Sequence, residues 1–134
     1  MTEDDQQLSH AAPGEPTPRA RSTRELIAAE RADTAAQITD LVRDLSGIFE
    51  ASTDVAIDDE HDPEGATIAF ERAQVSALLA RARQRLADLD DALARLENGS
   101  YGICERCGNP IGAERLAVRP SSRTCITCAA VRTR

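Results

Sequence analysis

The sequence predicts a mostly α-helical protein: a long antiparallel helical hairpin of the coiled-coil kind, followed by a small four-cysteine finger. Apolar residues recur at spacings of three and four over two long segments, and an acidic stretch ending near Pro63 separates these segments. All four cysteines lie in two Cys-x2-Cys pairs in the last quarter of the chain. Only 2% of the residues are aromatic, so burial must rely on Ala and Leu, which favour helices.

The charge of the chain narrows the possible functions. The net charge is −7, and every one of the 16 basic residues is an arginine. Because non-specific affinity for duplex DNA comes from neutralising phosphates, such an acidic chain is a poor candidate for wrapping DNA. No apolar run is long enough to span a membrane, and the polar first ten residues do not resemble a signal peptide. We therefore expect a cytoplasmic protein, in which stable disulfides are uncommon.

The first helix follows a proline-rich start of the chain. Residues 1–21 are predicted to be a disordered N-terminal tail, because they are rich in proline and poor in large apolar side chains. Ser22 is the predicted N-cap, and Glu25 completes a capping box. The helix is expected to end at about Ala51. Its apolar stripe has two rows, which are Ile27, Thr34, Leu41 and Ile48 in the first and Ile38 and Leu45 in the second.

The second helix is expected to begin after an acidic tip at about residues 52–62. Asp62 and Pro63 are typical of an N-cap followed by the first helical position, and Gly99 suits the left-handed position after the last turn. The acidic loop favours a hairpin over a parallel dimer of long helices, so residues 22–98 are assigned to the hairpin. The first heptad row consists of Ile68, Val75, Ala82, Leu89 and Leu96. The second consists of Leu79, Leu86 and Leu93, with the polar Arg72 as its first member.

The cysteines form the strongest chemical motif in the chain. Two Cys-x2-Cys pairs, 17 residues apart, can supply the four thiolates of one structural Zn²⁺ site. Gly108 would let the first knuckle turn and direct backbone N–H groups at sulfur. A redox centre would need one pair in a βαβ setting, and a catalytic zinc would need an open position. The predicted ligands are Cys104, Cys107, Cys125 and Cys128.

The finger is assigned to residues 99–134, together with a basic C-terminal end. Because this segment is too short to build its own hydrophobic core, we expect metal binding to drive its folding. Six of its residues are arginines, which either compensate the charge of the zinc–thiolate centre or form a docking face for an acidic surface. The chain has no nucleophile–base constellation and no phosphate-binding glycine loop, so we do not expect an enzyme.

Residues 98–129 resemble the C4-type zinc finger of the DksA/TraR family of bacterial transcription regulators. The resemblance rests on both cysteine pairs and their surroundings, and it extends back to about Ser22 through the predicted hairpin. It implies a protein that binds RNA polymerase rather than promoter DNA and that inserts its hairpin into the secondary channel. It also implies guanosine tetraphosphate as a nucleotide partner. The matching neighbours of the cysteines are Gly99, Tyr101-Gly102, Gly108, Ile111, Arg115-Leu116 and Pro120.

The acidic tip is the candidate partner-binding site at the other end of the hairpin. The family carries an Asp-x-x-Asp-x-Ala motif there, whereas the closest frame in this chain begins at Asp59 and ends at Glu64. Two alternatives remain open: a zinc-stabilised interaction module with a different partner, and a nucleic-acid-binding protein that uses the C-terminal arginines. The candidate tip residues are Asp58, Asp59, Glu60, Asp62 and Glu64.

Overall fold

The computed structural model describes residues 18–53 and 63–131, which form two long antiparallel helices and a small finger. Helix α1 spans Pro18–Thr53 and helix α2 spans Pro63–Asn98, each with 36 residues. Two short helices, α3 (Ala113–Val118) and α4 (Ile126–Val131), lie in the finger. At about 1.5 Å per residue, each arm of the hairpin is about 54 Å long. The predicted mostly α fold, a hairpin followed by a finger, is confirmed.

The start of α1 differs from the sequence prediction. The helix begins at Pro18, so Ser22 lies inside it and the predicted N-cap at Ser22 is wrong. Proline suits a first helical position because its φ is already helical and its missing N–H would have no partner there. The same reason explains why α2 begins at Pro63, as predicted. Residues 1–17 and 54–62, which include most of the predicted tail and tip, lie outside the described residues.

A narrow core runs between the two long helices. Near the finger, Ile27 packs with Leu89 and Ala92, and nearer the tip Leu41 packs with Leu79 and Ala82. The small alanines let the two backbones approach closely. This buried interface between α1 and α2, the seam, therefore needs no aromatic residue. The heptad rows predicted these buried positions, with the exception of Ala92, which belongs to neither row.

Ion pairs across the helices reinforce the half of the hairpin that is next to the finger. Arg24 pairs with Glu97 at 3.5 Å, Arg85 pairs with Glu30 at 3.2 Å, and Arg31 pairs with Asp90. All three pairs are partly exposed, so each contributes only about 0.2–1 kcal/mol. Their main consequence is that they favour one register of α1 against α2.

The end of α2 sets the direction in which the chain enters the finger. Gly99 has a φ of +81°, in the left-handed region, which confirms the predicted position after the last helical turn. The backbone N–H groups of Ser100 and Tyr101 both donate to the carbonyl of Arg95, at 3.0 and 3.1 Å. The finger therefore begins directly against the last turns of α2. None of the described helices is both long and apolar enough to cross a membrane.

Candidate metal centre

The four cysteine sulfurs come together at the base of the hairpin. Cys104 and Cys107 lie on the first knuckle, Cys125 lies directly before α4, and Cys128 lies in its first turn. All four Sγ atoms lie within 4.8 Å of one another, and those of Cys107 and Cys125 are 3.8 Å apart. Four sulfurs about 2.3 Å from a central Zn²⁺ form a tetrahedron with edges of about 3.8 Å. The four cysteines are therefore positioned to hold one zinc ion.

A tight backbone turn builds the first knuckle. The N–H of Cys104 donates to the carbonyl of Asn109 at 2.8 Å, and the N–H of Gly108 donates to the carbonyl of Cys104 at 2.9 Å. Gly108 has a φ of +74°, which confirms that it allows the turn. Its own N–H bonds to an oxygen, while other backbone N–H groups of the knuckle point at sulfur, as expected. The backbone N–H of Cys107 takes that role toward the sulfur of Cys104.

Backbone hydrogen bonds prepare part of the site for thiolates. Mainly because the N–H of Cys107 donates to its sulfur, the pKa of the Cys104 thiol falls to about 6. The N–H of Cys128 likewise lowers the pKa of Cys125. The neighbouring Cys125 sulfur and burial instead raise the pKa of Cys128 to about 12. Four thiolates thus repel one another without a cation, and this donor set suits a divalent metal that removes the last proton.

The finger also rests on α2 through polar contacts. Arg123 pairs with Asp91 of α2 at 3.0 Å, and within the finger the Tyr101 hydroxyl donates to the carbonyl of Pro120 at 2.7 Å. The guanidinium of Arg95 lies over the Tyr101 ring, 5.9 Å from its centroid. This role of Asp91 and Arg95 was not predicted from the sequence, because a pair at i and i+4 is typical of any exposed helical face.

The arginines of the finger have structural partners of their own. The Nε of Arg115 donates to the carbonyl of Thr124 at 2.9 Å, and Nη1 of Arg106 donates to the carbonyl of Cys128 at 3.4 Å. Together with Arg123, they hold the finger in shape close to the thiolates. Arg106, Arg119 and Arg123 are all exposed, and the last two line the polar cleft between hairpin and finger.

Of the predicted tip residues, the structure describes only Glu64. Asp58, Asp59, Glu60 and Asp62 lie outside the described residues, and Glu64 is exposed in the first turn of α2. An acidic side chain in the first turn interacts favourably with the helix dipole. Almost the whole length of α2 separates Glu64 from the cysteines, so this one residue and the metal centre lie near opposite ends of that helix.

Comparisons with known proteins identify the type of finger. Residues 99–134 match the family model of the prokaryotic DksA/TraR C4-type zinc finger. The RNA polymerase-binding transcription factor DksA of Caulobacter vibrioides is 50% identical over 42 residues, which are 31% of this chain and 30% of that protein. The factor of the same name in Escherichia coli K12 is 38% identical over 48 residues, 36% of this chain and 32% of that protein.

A further relative and one solved structure show how far the similarity extends along the chain. The uncharacterized protein YteA of Bacillus subtilis is 41% identical over 66 residues, 49% of this chain and 28% of that protein. The chain thus spans less than a third of the length of each of these three relatives. The solved structure of transcription factor DksA2 from Pseudomonas aeruginosa extends the likeness, with a TM-score of 0.71 and 27% identity over 86% of this chain and 83% of that one. This likeness takes in the hairpin as well as the finger.

Proposed function

We propose that this chain, whose residues 99–134 form a DksA/TraR C4-type zinc finger, is a transcription regulator that binds RNA polymerase. The observation that carries the proposal is the joint likeness of hairpin and finger to DksA2 over 86% of the chain. Two of the relatives that match the finger are named as RNA polymerase-binding transcription factors. The proposed activity is binding, and it requires no reaction at the metal.

The long, thin shape of the hairpin suits a protein that inserts part of itself into a narrow opening. Two helices, each about 10 Å across and about 54 Å long, form a rod that projects from the finger. Its two apolar clusters and its cross-helix ion pairs resist bending and splaying. We propose that the distal end of this rod enters the secondary channel of the polymerase, through which nucleotides reach the catalytic centre.

The charge at the distal end supports the same proposal. Residues 50–64 contain seven acidic side chains and no lysine or arginine. Because a polymerase catalytic centre holds Mg²⁺ and basic side chains, a concentrated negative charge at the end of a rod is attracted to it. Asp59, Asp62 and Glu64 are the proposed contact residues. A guanosine tetraphosphate-type nucleotide partner stays a prediction, to be tested by binding of that nucleotide to the complex with polymerase.

The role of the metal is to tie the two knuckles of the finger together. Zn²⁺ would supply a four-way crosslink between the thiolates, which replaces the core that this short segment lacks. The chain's own residues do the rest: the N–H groups of the first knuckle stabilise the Cys104 thiolate, and Arg115 holds the backbone directly before Cys125. The finger would thereby form a firm base from which the hairpin projects.

The experiment is equilibrium binding to purified RNA polymerase from the same organism, followed by transcription in vitro. The tip variant is Asp59→Asn with Asp62→Asn. Its control is Asp33→Asn with Asp44→Asn, which changes the charge equally on the exposed shaft. We expect micromolar or tighter binding by wild type and loss of the transcriptional effect in the tip variant alone. No binding to polymerase would contradict the proposed partner, and equal effects of both variants would contradict the tip.

A second candidate is an interaction module that binds a different protein through the finger. The observation that favours it is the exposure of two apolar side chains there, Val118 at 80% and Ile126 at 74%. Single exposed apolar residues are common on protein surfaces, so this candidate is the weaker of the two. Substitution of both residues by serine would abolish binding under this candidate and leave a hairpin-driven polymerase interaction in place.

A further inference from the structure

The segment between α3 and the second pair of cysteines is neither a helix nor a strand, and hydrogen bonds to its backbone carbonyls hold it in place. In residues 119–124, all of which the structure describes, every carbonyl accepts at least one hydrogen bond. Arg119 accepts within the segment, from the N–H of Ser122 at 3.1 Å. The carbonyls of Arg123 and Thr124 accept from the N–H of Glu105 and from Arg115, both at 2.9 Å.

The three central carbonyls are held from the hairpin side. Pro120 accepts from the Tyr101 hydroxyl at 2.7 Å. Ser121 accepts from Nη2 of Arg95 at 3.3 Å, and Ser122 accepts from Nη1 of Arg95 at 3.2 Å. One guanidinium of α2 therefore binds two successive carbonyls of the segment that leads into Cys125.

Arg95 is itself held in place. Its side chain is 15% exposed, and its Nε donates to Oδ2 of Asp91 at 3.1 Å, one turn earlier in α2. The same carboxylate oxygen accepts from Nη2 of Arg123 at 3.0 Å. The backbone carbonyl of Arg95 also accepts the two N–H groups that lead into the first knuckle. This residue therefore contacts the chain on the way to both pairs of cysteines.

We propose that Arg95 is a positioning residue for the metal centre, which couples metal binding to the stability of the hairpin. A planar guanidinium can hold two successive carbonyls in a fixed geometry, whereas the ammonium of lysine cannot. With the segment held against α2, Cys125 and Cys128 need less ordering to meet the first knuckle, and this strengthens metal binding. By thermodynamic linkage, the metal must stabilise the hairpin to the same extent.

The inference is independent of the proposed binding to polymerase, because it concerns only this chain and its metal. Arg95→Met in the full chain keeps the aliphatic stem and a good helix propensity, and it removes the hydrogen bonds. The matched control is Arg83→Met, which removes an exposed arginine of the same helix. A third variant, Tyr101→Phe, removes one of the three central bonds and leaves the ring beneath Arg95.

Two quantities are measured for each variant. Zinc affinity is obtained by competition with a chromophoric chelator, and the melting midpoint of the hairpin is followed by ellipticity at 222 nm with and without zinc. We expect Arg95→Met to weaken zinc binding about tenfold, equivalent to about 1.4 kcal/mol, and to lose most of the rise in midpoint that zinc produces. Its metal-free midpoint should match that of Arg83→Met. Tyr101→Phe should lower the zinc affinity and the zinc-dependent rise in midpoint in the same direction, but by smaller amounts.

Three outcomes would overturn the proposal. The first is equal zinc affinity and an equal zinc-dependent midpoint shift in Arg95→Met and Arg83→Met. The second is a fall in the metal-free midpoint of Arg95→Met as large as the fall with zinc, which would make Arg95 an ordinary stabilising residue of the hairpin. The third is full recovery by Arg95→Lys, which would show that charge is sufficient and that the two-carbonyl geometry is unnecessary.

Discussion

Removal of the metal should unfold the finger and leave the hairpin folded, because the two parts of this protein are stabilised in different ways. The perturbation is chelation of zinc from the full chain under reducing conditions, well below the melting midpoint of the hairpin. The finger lacks a core large enough to fold without metal, whereas the hairpin has two buried apolar clusters of its own. We therefore expect the finger to unfold and the hairpin to stay helical.

The magnitude follows from the lengths of the helices. The finger contributes two helices of 6 residues each, while α1 and α2 contribute 36 residues each. Complete loss of α3 and α4 removes about one seventh of the helical residues in the described part of the chain. The ellipticity at 222 nm should fall by about that fraction, and the midpoint of the remaining transition should fall as well, because the contacts of the finger with α2 are lost.

The assay combines ellipticity with limited proteolysis. Cleavage at Arg106, Arg115 and Arg119 should accelerate on chelation, and cleavage within the seam of the hairpin should not. Cys104→Ser provides an independent way to weaken the site without a chelator. Loss of more than half of the ellipticity would show instead that the hairpin depends on the metal to fold. Unchanged proteolysis of the finger after chelation would show that the finger does not need the metal to stay folded.

Further predictions concern single residues. Leu89→Ala, at a side chain that is 1% exposed, should cost about 2–5 kcal/mol in urea unfolding, and Leu78→Ala, at one that is 40% exposed, should cost much less; equal costs would contradict the described seam. Gly108→Ala forces a side chain into a φ of +74° and should weaken zinc binding about tenfold, while Gly47→Ala in α1 should stabilise the hairpin by up to about 1 kcal/mol. Burial raises the pKa of Tyr101, so its contribution to stability is complete below the unfolded pKa and is lost as pH rises through the folded one. Tyrosinate absorbance, which reports this one tyrosine alone, should show a higher midpoint in the folded than in the unfolded chain, and coincident midpoints would contradict the burial.

The seam and the metal ligands could be predicted from the sequence because both depend on spacing alone. Heptad rows identify Leu79, Ala82 and Leu89 as buried regardless of what the partner helix is. Likewise, two Cys-x2-Cys pairs can hold one metal in any fold that brings the two knuckles together. Local geometry sufficed for Gly99 and Gly108 too, since a left-handed backbone favours glycine in almost any context.

The features that sequence reasoning missed depend on competition or on tertiary contacts. Ser22 has a plausible capping box, but Pro18 is an equally good start and adds a further turn of helix. Ala92 is fully buried, yet it lies outside the two predicted rows and alanine gives little periodic signal. Arg95 looks like a solvent-exposed helical arginine, and its role depends on carbonyls more than 25 residues later in the chain.

We propose that the distal end of the hairpin reaches into RNA polymerase while the finger stays outside. Photo-crosslinking from two positions tests it most directly, with a crosslinking amino acid placed either at Glu64, at the start of α2, or at Val118 on the finger. We expect Glu64 to crosslink to residues lining the secondary channel, and Val118 to crosslink at the outer rim of that channel or not at all. Crosslinks from Glu64 to the outer surface of the polymerase, or none from either position at saturating concentrations, would contradict it.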